Sequence, residues 1–303
     1  EEIEIRDIST EKIRFILEGA LLYFLFLVFK IMPLDTASAC GGWLGRMVGP
    51  RLAASRKAMK NLRAALPGRT DAEYAGIITG MWDNLGRTVA EYPHLDKIGR
   101  ERVETINKER LRELADDGLP GVLFTGHIAN WEVSATGLLH QGNIPVDIVY
   151  RAPNNPWVAN LLDRARSLNH RLPTIAKSRS SVRPMMQALQ QGRHIGMLID
   201  QKYNEGIPVP FMGIPAMTSP AFVQLCQKFK CPLVPGRIER LSGARFRMTI
   251  YEPLQLFNDN GAPLPVETVI AAAHSHLESW IREKPEQWLW LHRRWDSAAL
   301  QSS

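Results

Sequence analysis

Cysteine is scarce in this sequence, and the three that occur, Cys40, Cys226 and Cys231, form no Cys-x-x-Cys pair. An odd number without that spacing argues against a disulfide framework and a zinc site, and it favours a reducing compartment. The sequence also lacks zinc-finger, RNP and heptad patterns, so nucleic acid is not an expected partner. It has no Gly-x-Ser-x-Gly elbow and no Walker loop, which argues against an acyl-serine intermediate and against ATP use.

Long uninterrupted apolar runs are missing as well. The best candidate, Gly19 to Phe29, is shorter than the roughly 18 residues of a clear membrane span. Arg14 and Lys30 lie on either side of it, where long basic side chains reach the two membrane interfaces. We therefore expect residues 1–35 to form a membrane-anchoring helix, either spanning or deeply inserted, with a buried core helix as the alternative.

Acidic residues are absent between Asp35 and Asp71, whereas seven basic residues fall there. Basic residues close behind an apolar helix favour the cytoplasmic side and attract anionic lipid head groups. A solvated helix face is the alternative interpretation. The net charge of +6 is compatible with both.

The pattern of apolar residues changes along the chain. Helical spacing dominates residues 36–115, and short apolar runs separated by helical segments follow from Gly118 onward. Strands are predicted at 121–125, 146–150, 194–199, 233–238 and 246–251, and helices at 157–168, 181–191 and 266–283. This alternation predicts an α/β fold with a central sheet. We expect one catalytic domain over 36–303, with a helical entry at 36–115 and an α/β core at 116–303.

The clearest chemical candidate is the pair His127 and Glu132, which follows a predicted strand. Active residues of α/β folds gather where strands end in loops. A histidine with a neighbouring carboxylate can act as a general base, because the carboxylate fixes the imidazole tautomer and stabilises the cation that forms. Spacing alone leaves a structural histidine as an open alternative.

Several further motifs make the chain resemble the bacterial lipid A late acyltransferases, which are lauroyl and myristoyl transferases within the wider HxxxxD/E superfamily. The resemblance covers most of the chain. It is carried by the N-terminal apolar helix, Asn61-Leu62-Arg63, Trp82-x-Asn84-Leu85-Gly86-Arg87, Gly126-His127-x-x-Asn130-Trp131-Glu132, Tyr150-Arg151-x-Pro153-x-Asn155-Pro156, Asp200-Gln201, Phe211-Met212-Gly213 and Pro285-Glu286-Gln287-Trp288-Leu289-Trp290-Leu291-His292-Arg293-Arg294-Trp295.

The resemblance implies a central sheet flanked by helices, like that of glycerol-phosphate acyltransferases, and it implies roles for particular residues. His127 would be the general base and Glu132 the acid that orients it. The candidate substrate-binding residues are Arg166, Arg151, Arg164, Asp200 and Asn130. Arginine suits this role because it makes bidentate contacts with phosphate. Surface salt bridges are the alternative for the arginines, and a cap of the next segment is the alternative for Asp200.

The substrates are also implied by the resemblance. The donor would be an acyl chain on acyl carrier protein, and the acceptor a hydroxyl of a lipid A precursor that carries Kdo sugars. Direct transfer would need no metal or cofactor, and it would occur on the cytoplasmic face of the inner membrane, among membrane lipids. The alternatives are another glycolipid acceptor, such as a phosphatidylinositol mannoside, and a non-catalytic lipid-binding protein.

The residues after Asp200 and the tryptophans near the C-terminus are two further features of the sequence. Some members of this family carry an acidic residue just after the Asp200 position, whereas Gln201-Lys202-Tyr203 follows here. The departure leaves the acceptor and the chain length open. The tryptophans of the segment from Pro285 to Trp295 are expected to pack the C-terminal helix on the sheet.

Overall fold

The computed structural model describes residues 2–177 and 182–296, with side chains from residue 12 onward. Ser181, the first residue of one predicted helix, lies outside the described residues. So do residue 1 of the predicted anchor and residues 297–303 of the predicted catalytic domain.

Helices and strands follow one another through the described part of the chain. The helices are α1 (Glu2–Ile31), α2 (Leu34–Val48), α3 (Ala53–Ala65), α4 (Asp71–Glu91), α5 (Leu95–Glu101), α6 (Lys108–Asp116), α7 (Val133–Gly142), α8 (Pro156–Arg166), α9 (Val182–Gln190), α10 (Ala221–Phe229) and α11 (Val266–Glu283). The strands are β1 (Val103–Ile106), β2 (Val122–Thr125), β3 (Val146–Tyr150), β4 (Thr174–Ala176), β5 (His194–Leu198), β6 (Ile207–Phe211), β7 (Ile214–Thr218), β8 (Leu233–Ser242) and β9 (Arg245–Ile250).

A seven-stranded sheet forms the centre of the fold, in the order β1-β9-β8-β2-β5-β3-β4. Its neighbouring strands run parallel except at the β8–β9 hairpin, so β1 and β9 run opposite to the other five. All four residues of β2 are buried, as expected for a parallel strand that is covered on both faces. The prediction of an α/β fold with a central sheet is therefore confirmed.

The five predicted strands correspond to β2, β3, β5, β8 and β9, whereas four others were not predicted. β1 and β4 are only four and three residues long and lie at the edges of the sheet. β6 and β7 form a separate antiparallel hairpin, in which prolines interrupt the pattern that usually marks a strand. β1 and β4 are too short to stand out in the sequence, and in β6 prolines occupy the positions between Ile207, Val209 and Phe211.

The N-terminal helix α1 differs from its prediction. No helix in residues 2–177 and 182–296 combines the length and hydrophobicity that crossing a membrane requires, so the predicted spanning anchor is not supported. α1 instead packs against α8, where Asn155 Nδ2 donates to the Phe15 carbonyl oxygen over 2.9 Å. On its other side, Leu17, Leu21 and Phe24 are each more than half exposed.

Helices α2 and α4 pack closely because glycines face each other at their contact. A Cβ atom placed on Gly86 would lie 2.1 Å from the Gly41 carbonyl oxygen, and one on Gly45 would lie 2.0 Å from the Trp82 carbonyl oxygen. α4 begins at a capping box, in which Thr70 and Glu73 satisfy each other's backbone N–H groups. α4 is therefore fixed both at its start and along its length, and it carries residues that reach the candidate site.

Replacing Gly86 by alanine should lower the free energy of unfolding by about 1–3 kcal/mol, because the new methyl group would force α2 away from α4. Gly76→Ala on the same helix is the matched control. Nothing lies within 4 Å of a Cβ atom there, so helix propensity should raise stability by about 0.5–1 kcal/mol. Urea unfolding of both variants measures the difference. Equal effects would contradict the close-packing explanation.

Candidate active site

The site lies at the carboxyl ends of two neighbouring parallel strands. β2 and β5 are paired so that Thr125 lies opposite Leu198. His127 follows two residues after Thr125, and Asp200 follows two residues after Leu198. The sheet therefore brings together two side chains that are 73 positions apart in the chain.

His127 is bound by Asp200 at two points. The backbone N–H of His127 donates to Asp200 Oδ2 over 2.7 Å, and His127 Nδ1 lies 2.7 Å from Asp200 Oδ1. Two hydrogen-bond acceptors would repel each other at that distance, so Nδ1 carries the proton and Nε2 presents its lone pair. On this second side, Gln201 Nε2 lies 3.3 Å from His127 Nε2.

The Asp200 carboxylate is completely buried and takes part in three hydrogen bonds. Besides its two bonds with His127, it accepts a bond of 2.8 Å from Trp288 Nε1. Burial raises the pKa of Asp200. The charge and hydrogen bonds of His127 lower this pKa by more than burial raises it, so the net pKa lies below its usual range. The group beside the imidazole is therefore an ionised carboxylate.

Glu132 has a different set of partners. Arg166 donates from Nε and Nη2 over 2.7 and 2.6 Å, which makes a bidentate pair, and Tyr92 Oη donates over 2.6 Å. Trp131 Nε1 completes the set at 3.0 Å. Burial raises the pKa of Glu132, but the Arg166 charge and these hydrogen bonds outweigh it, so the net pKa is lowered.

The expected contact between His127 and Glu132 is therefore corrected by the geometry. None of the hydrogen bonds described for residues 12–177 and 182–296 joins these two side chains, and the carboxylate in contact with the imidazole belongs to Asp200. The reason lies in the local structure. α7 begins only at Val133, so the motif occupies a loop and its two ends do not share a helical face.

The loop that carries His127 is held by two distant segments. Ala129 adopts a positive φ of 51°, a conformation that a non-glycine residue keeps only when its surroundings enforce it. Its N–H donates to the Gln287 carbonyl oxygen over 2.8 Å, and its own carbonyl oxygen accepts from Asn84 Nδ2 over 2.9 Å. In addition, the Leu289 N–H donates to the His127 carbonyl oxygen over 3.0 Å. The loop is thus pinned by α4 and by the segment after α11.

Asn130 and Arg164, two predicted substrate-binding residues, lie away from the opening of the site. The side chain of Asn130 is completely buried, donates to Glu91 over 2.8 Å and accepts from the Glu132 N–H. Asn130 therefore stabilises the loop that carries His127 and does not face the cavity. Arg164 lies exposed in the last turn of α8, and no described contact connects it with His127 or Glu132.

A largely apolar cavity of about 140 Å³ extends from His127 across the sheet. Glu132, Arg151 and Arg166 line the same cavity as His127, so three of the other predicted site residues share it with the imidazole. The remainder of the wall comes from apolar side chains of the sheet and of α7, among them Leu123, Leu138, Val146, Ile148, Met197 and Ile238. The arrangement combines a basic nitrogen, cationic donors and a space suited to a hydrocarbon chain.

Tyr92, Lys177 and His292 also belong to the site, although none of them was among the predicted site residues. Lys177 lines the cavity, and burial lowers its pKa. The ring of His292 stands edge-on to that of His127, with 4.3 Å between centroids. Burial, followed by the charge of His127, lowers the pKa of His292 to about 3. Only the family motif around His292 singled out any of the three beforehand.

The described residues contain no group of three or more His, Cys, Asp and Glu side chains placed to hold a metal ion.

Comparison with known proteins places this geometry in a family. Residues 6–297 match the protein-family model described as bacterial lipid A biosynthesis acyltransferase. The match covers nearly the whole chain, so the protein belongs to this family, and it is an acyltransferase of lipid A biosynthesis. A search of the curated proteins gave no match.

His292 should make the stability of the protein depend on pH. Its folded-state pKa lies below that of an unfolded histidine, near 6.5, so the unfolded state binds an extra proton as the pH falls between the two values. This histidine should therefore remove about 2 kcal/mol of unfolding free energy between pH 7 and pH 5.

The measurement is urea unfolding at both pH values for wild type, His292→Gln and His170→Gln. His292→Gln should lose about 2 kcal/mol less than wild type does, whereas the exposed His170 should make little difference. The same pH dependence in all three proteins would show that His292 is not held neutral.

Proposed function

We propose that the protein transfers a fatty acyl chain from acyl carrier protein to a hydroxyl of a lipid A precursor that carries Kdo sugars. The observation that carries this proposal is the contact of 2.7 Å between His127 Nδ1 and the buried Asp200 carboxylate, beside an apolar cavity. A base, an orienting acid and an apolar space for the acyl chain are the parts that direct acyl transfer requires.

His127 acts as the general base through Nε2. Asp200 accepts the Nδ1 proton, so the lone pair of Nε2 can take a proton from the acceptor hydroxyl as that hydroxyl attacks the acyl carbonyl. The ionised Asp200 then stabilises the imidazolium, which returns the proton to the departing thiolate of the donor. No covalent acyl-enzyme is needed, because both substrates meet at the same imidazole.

Glu132 acts through Arg166. The bidentate pair fixes two of the guanidinium nitrogens of Arg166, whereas the buried Nη1 atom has no hydrogen-bond partner among the described residues. A buried cationic donor that lines the cavity is suited to an anionic group of a substrate. Glu132 is therefore the residue that positions Arg166, in place of the orienting role expected from the sequence.

Arg151 and Lys177 extend this cationic wall. Both line the cavity beside His127, at the carboxyl ends of β3 and β4. Lys177 is sensitive to its surroundings: burial and the charge of Arg151 lower its pKa, while the charge of Asp200 raises it. A lipid A precursor carries phosphates and carboxylates, which would offset the repulsion between these two cations.

The basic helix α3 supports an acyl carrier protein donor. Arg56, Lys57 and Lys60 are exposed on it, and Lys57 lies close enough to His292 for its charge to lower the pKa of that imidazole. A positive surface near His292, whose ring contacts His127, is complementary to an acidic carrier protein, and it would speed the encounter.

The exposed side chains of α1 and α2 support contact with a membrane surface. On α1 they recur at helical spacing, and on α2 Trp43 and Met47 are about half exposed. Helices of this kind bury apolar side chains among acyl chains while nearby basic residues meet anionic head groups. Since α1 packs on α8, which carries Arg166, this contact would place the cavity near its lipid substrate. We propose that the protein binds the cytoplasmic face of the inner membrane.

The substrate assignment is tested by incubating the purified protein with a Kdo-bearing lipid A precursor and acyl carrier protein charged with chains of several lengths. Mass spectrometry should show the added mass of one acyl group. Parallel reactions contain acyl coenzyme A or a phosphatidylinositol mannoside. Transfer only from coenzyme A, or only to the mannoside, would contradict the proposed donor or acceptor.

Removing the Asp200 carboxylate should be as damaging as the loss of a triad acid. Asp200→Asn should reduce kcat about 10³-fold or more with little change in KM, because the imidazole loses its favoured tautomer. The double variant with His127→Gln should be no slower than His127→Gln alone, since the two residues act as a unit. Asp259→Asn, in an exposed turn, is the control. If the losses of kcat in the two single variants add up in the double variant, His127 and Asp200 do not act as a unit.

The membrane contact is tested by replacing Leu17, Leu21 and Phe24 together with serine. Each side chain contributes about 1.5–3 kcal/mol when buried, so binding to vesicles that contain phosphatidylglycerol should weaken about 100-fold or more. Leu119→Ser is the control, because that leucine is also half exposed but lies outside α1 and α2. Co-sedimentation measures both, and an equal response would contradict this surface.

A further inference from the structure

Gln201 directs a hydrogen-bond donor at the reactive nitrogen of the site. It follows Asp200 at the carboxyl end of β5 and lines the cavity. Its Nε2 atom lies 3.3 Å from His127 Nε2. Because Nδ1 carries the imidazole proton, Nε2 is an acceptor, and the amide must present its N–H group to it. The amide donor therefore occupies the place where the acceptor hydroxyl has to enter.

The position of this amide relates directly to the proposed reaction, on which the inference rests. An acceptor hydroxyl must approach His127 Nε2 to within about 2.6–3.2 Å, and it displaces the amide when it does so. The carbonyl carbon under attack is bonded to that hydroxyl oxygen in the intermediate. The carbonyl oxygen is bonded to that carbon, so it comes close to His127 Nε2, the atom that Gln201 Nε2 contacts over 3.3 Å.

Most other donors around the imidazole are already engaged. Trp131 Nε1 donates to Glu132, and Trp288 Nε1 donates to Asp200. Arg166 uses Nε and Nη2 for Glu132. Among the described contacts, the only hydrogen bond of the Gln201 side chain is the one that the substrate would replace. An amide that is released by substrate binding keeps both of its N–H groups for the reacting atoms.

We propose that Gln201 is a catalytic residue that donates from Nε2 to the carbonyl oxygen of the acyl thioester. The acceptor oxygen forms a bond with the carbonyl carbon while its proton moves to His127 Nε2. The electron pair of the carbonyl π bond moves to the oxygen, where the Gln201 N–H stabilises the negative charge. When the carbonyl re-forms, the carbon–sulfur bond breaks, and the thiolate takes the proton from His127.

This role distinguishes Gln201 from a residue that only positions the base. Asp200 already fixes the tautomer of His127 through a bond of 2.7 Å, and Trp288 in turn supports Asp200. The longer contact of Gln201 is not needed to orient the ring. A donor aimed at developing charge affects kcat, whereas a donor that only binds the ground state affects KM.

The test is Gln201→Met, which keeps the length of the side chain and removes both N–H groups. With acyl carrier protein and the Kdo-bearing precursor, kcat should fall about 10²-fold or more. The KM values and the pH profile of kcat/KM should stay as in wild type, because His127 and Asp200 are untouched. Gln224→Met, at an exposed position of α10, should leave all values unchanged. Thermal unfolding confirms that both variants are folded.

The outcomes separate this inference from the proposed function. If the wild type transfers no acyl group, both fail. If the wild type is active and Gln201→Met keeps its kcat within a few fold, only the inference is overturned, and Arg166 Nη1 becomes the donor to examine. A shifted pH profile without the loss of kcat also overturns it, because Gln201 would then act on His127.

Discussion

The site depends on one buried carboxylate. Asp200 lies in the interior without solvent exposure, and it receives hydrogen bonds from the His127 backbone, the His127 ring and the Trp288 indole. A buried charge persists only where such bonds replace its hydration. Each of the three donors comes from a segment that other contacts fix. The ionised state of Asp200 therefore depends on the geometry of these segments, and the hydrogen bonds to Asp200 in turn stabilise that geometry.

The second carboxylate shows how two acids can serve one site without competing. Glu132 lies five residues after His127, yet its partners are Tyr92, Trp131 and Arg166. Asp200 adds negative charge beside the imidazole, whereas Glu132 is neutralised by a guanidinium. The imidazole therefore receives its orientation from the sheet and the guanidinium receives its orientation from the motif loop. Both converge on the wall of the same apolar cavity.

The sequence predicted the elements with strong local patterns. The apolar runs that became β2, β3 and β5 and the length of α11 follow from periodicity, and His127 follows from its motif. The partner of His127 could not be predicted in this way, because Asp200 is brought to His127 by the pairing of β2 with β5 and not by its spacing along the chain. Lys177 was missed for the same reason. For α1, an apolar run indicated a membrane span, whereas the helix uses part of its surface to pack on α8.

The hydrogen bonds that hold the loop from His127 to Glu132 have a consequence for the order of folding. His127 is synthesised long before Trp288 and Gln287, which supply the indole for Asp200 and the carbonyl for Ala129. A nascent chain that has reached residue 280 already contains every strand of the central sheet, but it lacks both supports. Until the last segment docks, Asn84 of α4 holds the Ala129 carbonyl oxygen, but the Ala129 N–H has no acceptor from Gln287. Completion of the C-terminal segment is thus the event that turns a folded sheet into an assembled site.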